Sequence, residues 1–339
     1  MPHGYRDLAV FGRWGLAALV AAFLFLPASS ASAEPPPGTI SPIVGNPTAP
    51  GPASTIGQEP VGIASAPDGS LFIVDSYRMS VREVDAAGQE TTFAGNGTPG
   101  FSGDSGPAGE AALSEPGDVA LDGAGDVLIS DTGNQRVRLV ATANCTSDCP
   151  YGLATTKGDI YTIAGTGTQG FSGDGGTATA AELGRPGGLA VDGAGDVLIS
   201  DAGNQRVRLV AATNCTSNCP YGLAATAQGD IYTIAGTGTQ GFSGDDGTAT
   251  AAKLDDPGDL AVDSSGDLLI SDTENQRVRL VAAADCTSNC PYGLAATRRA
   301  TSTRSPAPAV PYSGGMVARR PRPNSPGPAV SRWTAAATC

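Results

Sequence analysis

The sequence predicts an all-β chain, and three observations carry that expectation. Glycine supplies 47 of 339 residues while aromatics make up 5%, a composition of short strands and tight turns and not of packed helices. Apolar residues fall in short runs closed by Asp, Gly and Asn, the pattern of strands bounded by turns. The same run returns at a regular interval, the signature of a repeat architecture. With 40% hydrophobic residues so arranged, the chain can bury a core and is not expected to be disordered.

Residues 1–33 read as an export signal. Arg6 and Arg13 precede an apolar run from Trp14 to Leu26, and Ala31-Ser32-Ala33 supplies small residues where a signal peptidase would cut before Glu34. The run is shorter than the ~20 residues a spanning helix needs. The mature chain is therefore expected to be secreted, free of the membrane after cleavage, either extracellular or associated with the cell wall. His3 is the single histidine and leaves with the signal, which excludes Ser-His-Asp and Cys-His catalysis, histidine bases and histidine-ligated metals. Between Glu34 and Thr297 there are 32 acidic and 11 basic residues, a net charge of −21. Such a body repels nucleic acid and anionic membrane surfaces.

After a short linker, 34–38, the repeat fills 39–297. Ile129-Ser-Asp131-Thr-Gly-Asn134-Gln-Arg136-Val-Arg-Leu-Val140 recurs at Ile199 to Val210 and Ile270 to Val281, with a divergent earlier copy at Ile73 to Val84. Within one unit, strands are expected at Gly188 to Val191, Asp196 to Ser200, Arg206 to Val210 and Ile231 to Ala235. Asp192-Gly-Ala-Gly195 supplies the first turn and Asp201 to Asn204 the second. Four short antiparallel strands describe one blade of a β-propeller, and blades must pack side by side because a lone blade exposes a face. Blades are expected at about 61–95, 117–164 and 187–235, with an incomplete one at 258–281. Thr39-Ile-Ser-Pro-Ile-Val-Gly45 resembles Tyr161-Thr-Ile-Ala-Gly165 and suits the outer strand of a last blade.

The pattern from Pro186 to Arg208, Pro-x-Gly-Leu-Ala-Val-Asp-x-x-Gly-Asp-Val-Leu-Ile-Ser-Asp-x-x-Asn-x-Arg-Val-Arg, resembles the NHL repeat. The Ile-Ala-Gly-Thr-Gly-x-x-Gly-Phe-Ser-Gly-Asp-Gly-Gly connector is similar to that of bacterial secreted NHL proteins and teneurin-type NHL propellers. The resemblance implies a six-bladed ring acting as a binding platform. The chain departs from it by offering about four blades.

Six cysteines form three pairs in one repeated octapeptide: Cys145 with Cys149, Cys215 with Cys219, Cys286 with Cys290. In an exported chain these read as local disulfides. The zinc alternative would draw thiolates from two separate copies.

After Thr297 the composition switches to seven arginines and no acidic residue, so 298–339 is expected to be a disordered tail. Read one nucleotide earlier, Ala300 to Ala309 permits Gly-Asp-Ile-Tyr-Thr-Ile-Ala-Gly-Thr-Gly, the sequence at 158–167. The tail thus reads as the next repeat out of frame, and Cys339 needs no functional role.

Gly165-Thr-Gly167-Thr-Gln-Gly170 satisfies the dinucleotide fingerprint G-x-G-x-x-G, but the helix it requires is interrupted by further glycines and Pro186. No catalytic and no cofactor-binding residue is expected. Asp201, Asn204 and Arg206 read as a turn network in which Arg pairs with the carboxylate. Strand parity gathers Asp131, Asp201 and Asp272 on one face with Asp174 and Asp245. That rim is the expected ligand face, with Asp174 and Asp245 the weak calcium candidates. The functional expectation is an exported, non-enzymatic binding or scaffold propeller for an extracellular protein or carbohydrate ligand. The alternatives are a metal-dependent lactonase-like propeller enzyme and a fragment of a larger cell-wall or teneurin-like protein.

Overall fold

Each repeat folds into an antiparallel meander, because its apolar runs are strand-length and its turns hold residues that accept left-handed backbone. The computed structural model describes residues 60–286, 288, 290–294 and 301–304. The expected export signal, the linker and Thr39 to Gly45 lie outside them. Blade one comprises β1 (Pro60–Ser65), β2 (Leu71–Asp75), β3 (Ser80–Val84) and β4 (Glu90–Ala94). Blade two holds β5 (Gly106–Pro107), β6 (Pro116–Leu121), β7 (Val127–Asp131), β8 (Arg136–Val140) and β9 (Asp159–Ala164). Blade three holds β10 (Gly176–Thr177), β11 (Pro186–Val191), β12 (Val197–Asp201), β13 (Arg206–Val210) and β14 (Asp230–Ala235). Blade four holds β15 (Gly247–Thr248), β16 (Pro257–Val262), β17 (Leu268–Asp272), β18 (Arg277–Val281) and β19 (Thr301–Arg304).

In every blade the four long strands pair in chain order, and in blades two to four the incoming connector adds a two-residue strand to the outer edge. An unpaired edge is a template for unwanted pairing, and the connector covers it. The first strands lie side by side, β1 beside β6, β6 beside β11, β11 beside β16, so the blades follow one another as in a propeller.

Hydrophobic cores fill the spaces between blades. Leu128, Val137 and Leu139 of blade two meet Leu189, Val197 and Ile199 of blade three, and equivalent cores join blades one and two and blades three and four. Every residue of β7 and β12 is buried. A strand covered on both faces reads as a continuous apolar run and not as an alternating one, which explains Val-Leu-Ile in both. Among the described residues, no hydrophobic core joins blade four to blade one.

The described residues build the four blades that the sequence offers, and one expectation changes: blade four is not limited to 258–281. Thr301–Arg304 pairs with β18, placing Ser302 opposite Val281 as Ile160 lies opposite Val140 and Ile231 opposite Val210. That is also the register the shifted frame assigns. The tail is therefore not disordered over these four residues, because edge pairing asks only for backbone N–H and C=O groups. The rest of the expected tail, 305–339, lies outside the described residues.

Candidate functional site

The connectors and the second turns meet on one rim, where a single polar constellation recurs in blades two, three and four. Asp131 ends β7 with no exposed surface, so donors must replace its water. The Ser114 N–H donates to it at 2.7 Å and Asn134 Nδ2 at 2.8 Å. Arg138 lies 3.7 Å away. This guanidinium is itself fully buried and donates to Asp104 Oδ1 at 2.7 Å, to Ser102 O at 2.9 Å and to Ala112 O at 3.1 Å. Blade three repeats the set with Asp201, Asn204, Arg208 and Asp174, and blade four with Asp272, Asn275, Arg279 and Asp245.

Burial pushes the Asp131 and Asp201 carboxyls up from the usual carboxylate range to about 6, against the pull of Asn134 and Asn204 and then of the backbone donors and arginines. Burial also lowers the Arg136 and Arg206 guanidinium pKa.

Beside each buried arginine, a half-buried arginine two residues earlier on the same strand stacks on a phenylalanine from the connector. The Arg136 guanidinium lies 3.6 Å from the Phe101 ring centroid, Arg206 3.7 Å from Phe171 and Arg277 4.0 Å from Phe242, all within cation–π range. These three rings remain about 40% exposed. One face rests on arginine while part of each ring meets solvent.

The structure relocates several expected site residues. Asp131, Asp201 and Asp272 do share a side of the blade with Asp174 and Asp245, as strand parity requires, but they are fully buried and do not form a ligand-accessible face. The arginine beside Asp201 is Arg208 and not Arg206. Both lie on one strand face, and Arg206 swings outward to donate to Asn204 O and Thr237 O. Asp174 and Asp245 are ion-paired to Arg208 and Arg279. Among the described residues, no group of three or more His, Cys, Asp or Glu converges. The phenylalanines were not singled out from sequence, although Phe-Ser-Gly-Asp recurs at 101, 171 and 242.

The dinucleotide-like glycines also find their reason. A Cβ on Gly165 would stand 2.2 Å from Gln135 O, and one on Gly167 would stand 2.2 Å from Arg136 Nη1. They make room for the neighbouring turn and for the stacked arginine.

On the opposite rim, Cys145–Cys149, Cys215–Cys219 and Cys286–Cys290 are disulfide-bonded, which fits an oxidising location. The first two loops each carry a tyrosine toward the following blade. Tyr151 Oη donates to Gly195 O at 2.9 Å and Tyr221 Oη to Gly266 O at 3.2 Å. No helix among the described residues is long and apolar enough to cross a membrane.

NHL repeats match at residues 113–138, 183–208 and 254–279. Human teneurin-1 is 35% identical over 97 residues, covering 25% of this chain and 4% of teneurin-1. Among solved structures, virginiamycin B lyase from Staphylococcus aureus superposes with a TM-score of 0.38 at 12% identity, over 66% of this chain and 52% of that one. An auxiliary nutrient binding protein from Bacteroides ovatus gives 0.45 at 18% identity, over 65% and 47%. The chain thus spans a small part of teneurin-1 and about half of each of these structures.

Proposed function

Because the chain carries NHL repeats on propeller blades, we propose that it is a non-enzymatic binding scaffold that works outside the cytoplasm. The observation that supports this reading is the threefold-repeated rim, whose carboxylates pair with their own arginines. In each Asp–Asn–Arg–Asp set both carboxylates pair with the same arginine, so on this reading the set serves the fold and not a reaction. Blades two, three and four each offer outward an aromatic ring stiffened by a stacked arginine, and such amphipathic faces suit ligand contact. Phe101, Phe171 and Phe242 form the proposed binding surface for an extracellular protein or carbohydrate.

The test is retention of the full chain on immobilised cell-wall polysaccharide and on protein-coated beads, comparing wild type with a Phe101→Ala, Phe171→Ala, Phe242→Ala variant. Retention lost in the variant, with an unchanged melting curve, supports the reading. Equal retention of both proteins moves binding away from this rim. Turnover of a lactone substrate by purified chain replaces the scaffold with the enzyme alternative.

A further inference from the structure

The junction between blades is a repeated interface with an outgoing and an incoming half. On the outgoing side, the second residue of the third strand points into the core beside the apolar residue of the next blade's first strand. Val81 shares a core with Val119, Val137 with Leu189, and Val207 with Leu260. Tyrosines 151 and 221 complete the outgoing half of two junctions. Their acceptors, Gly195 and Gly266, belong to first turns with φ of +86° and +83°.

The described chain leaves one half of this interface unused at each end. On the outgoing face of blade four, Val278 is 49% exposed, whereas its equivalents Val137 and Val207 are at 0%. Tyr292 is 41% exposed and turns back to donate to Asp263 of its own blade at 3.0 Å. On the incoming face of blade one, Ile63 is 44% exposed, whereas Val119, Leu189 and Leu260 are buried. Pro60 is likewise exposed where Pro116, Pro186 and Pro257 are buried. Gly69 holds the same left-handed turn, φ +90°, and presents the carbonyl a tyrosine latch would need. The aliphatic residues exposed at the two ends are the ones that pair at every internal junction.

We propose that this chain associates head to tail with a second copy of itself, Val278 and Tyr292 of one copy docking on Ile63 and the Gly69 carbonyl of the other. The occupant is a second copy because that copy carries the incoming half of an interface the chain already forms three times. The contact is heterologous, and such contacts either close into rings or extend into filaments. Two four-bladed arcs joined at both ends give eight blades, within the range of about four to eight over which propellers close.

The experiment is sedimentation and light scattering of the full mature chain at micromolar concentration, with Val278→Asp and Ile63→Asp variants. Both positions are exposed, so the variants should melt as the wild type does. Wild type is expected as a dimer and each variant alone as a monomer. An equimolar mixture of the two variants should regain a 1:1 dimer, weaker than wild type, because one intact junction survives. Tyr292→Phe should weaken the wild-type dimer several-fold. A monomeric wild type, a variant that still dimerises alone, or a mixture that stays monomeric would each overturn the proposal. The first of these would point to the chain's own segments outside the described residues as the cover.

Discussion

Asp201 illustrates what a buried charge demands of its neighbours. With Asn204, the Gly184 N–H and Arg208 around it, removing one donor leaves the others facing an incomplete set. Asn204→Ala is expected to destabilise the chain by about 1–3 kcal/mol and Arg208→Met by about 3 kcal/mol or more, measured by denaturant unfolding. The raised carboxyls set the sign of the acid response. The folded state holds the protons of Asp131 and Asp201 up to about 6, above the ordinary 3.8, so it binds them more tightly than the unfolded chain. The associated stability is complete at acid pH and is lost as pH rises through about 6. Lowering pH from about 7 to about 5 should therefore raise the melting temperature, and Asp131→Asn with Asp201→Asn should flatten that response. The repeated acidic positions were legible in the sequence, but their depth was not. Arg206 and Arg208 occupy the same strand face, and only the packed connector decides which of them is submerged.

At the scale of the element, the hairpin turns were readable and the latches were not. Asp192 accepts from the N–H groups of Ala194 and Asp196 at 2.9 and 3.0 Å, as the Asp-Gly-Ala-Gly turn implied. Nothing in Cys-Pro-Tyr-Gly announced that the tyrosine bonds the next blade, because that partner comes 44 residues later in the chain. Tyr221→Phe removes one neutral hydrogen bond and is expected to cost about 1 kcal/mol, read as a lowered urea midpoint. Replacing Cys215 and Cys219 by Ser opens only a small loop. The loss should be about 2 kcal/mol or less, with faster proteolytic cleavage of that loop as the clearer readout. The strand Thr301–Arg304 was missed because its composition is that of a tail, whereas its pairing depends on backbone groups alone.

The whole molecule behaves as a row of units, each held by the neighbours it touches, so stability is the sum of blade and junction contributions. Blade one has no disulfide loop, and its junction with blade two relies on the Val81–Val119 core and a bond from the Glu115 N–H to the Met79 sulfur. Blade three is latched on both sides, by Tyr151 from behind and Tyr221 ahead. Amide exchange is therefore expected to be faster in Ser80–Val84 than in Arg206–Val210, and uniform exchange would argue against the row-like account. Tyr151 and Tyr221 also give the row a direction, since both reach toward the C-terminus. As a ribosome releases the chain N-terminus first, Tyr151 emerges before Gly195 and Tyr221 before Gly266. Each latch must wait for a turn that does not yet exist. Assembly then runs as a zipper that trails synthesis by one blade, and an interruption of translation anywhere in the repeat leaves one unfastened tooth at its leading edge.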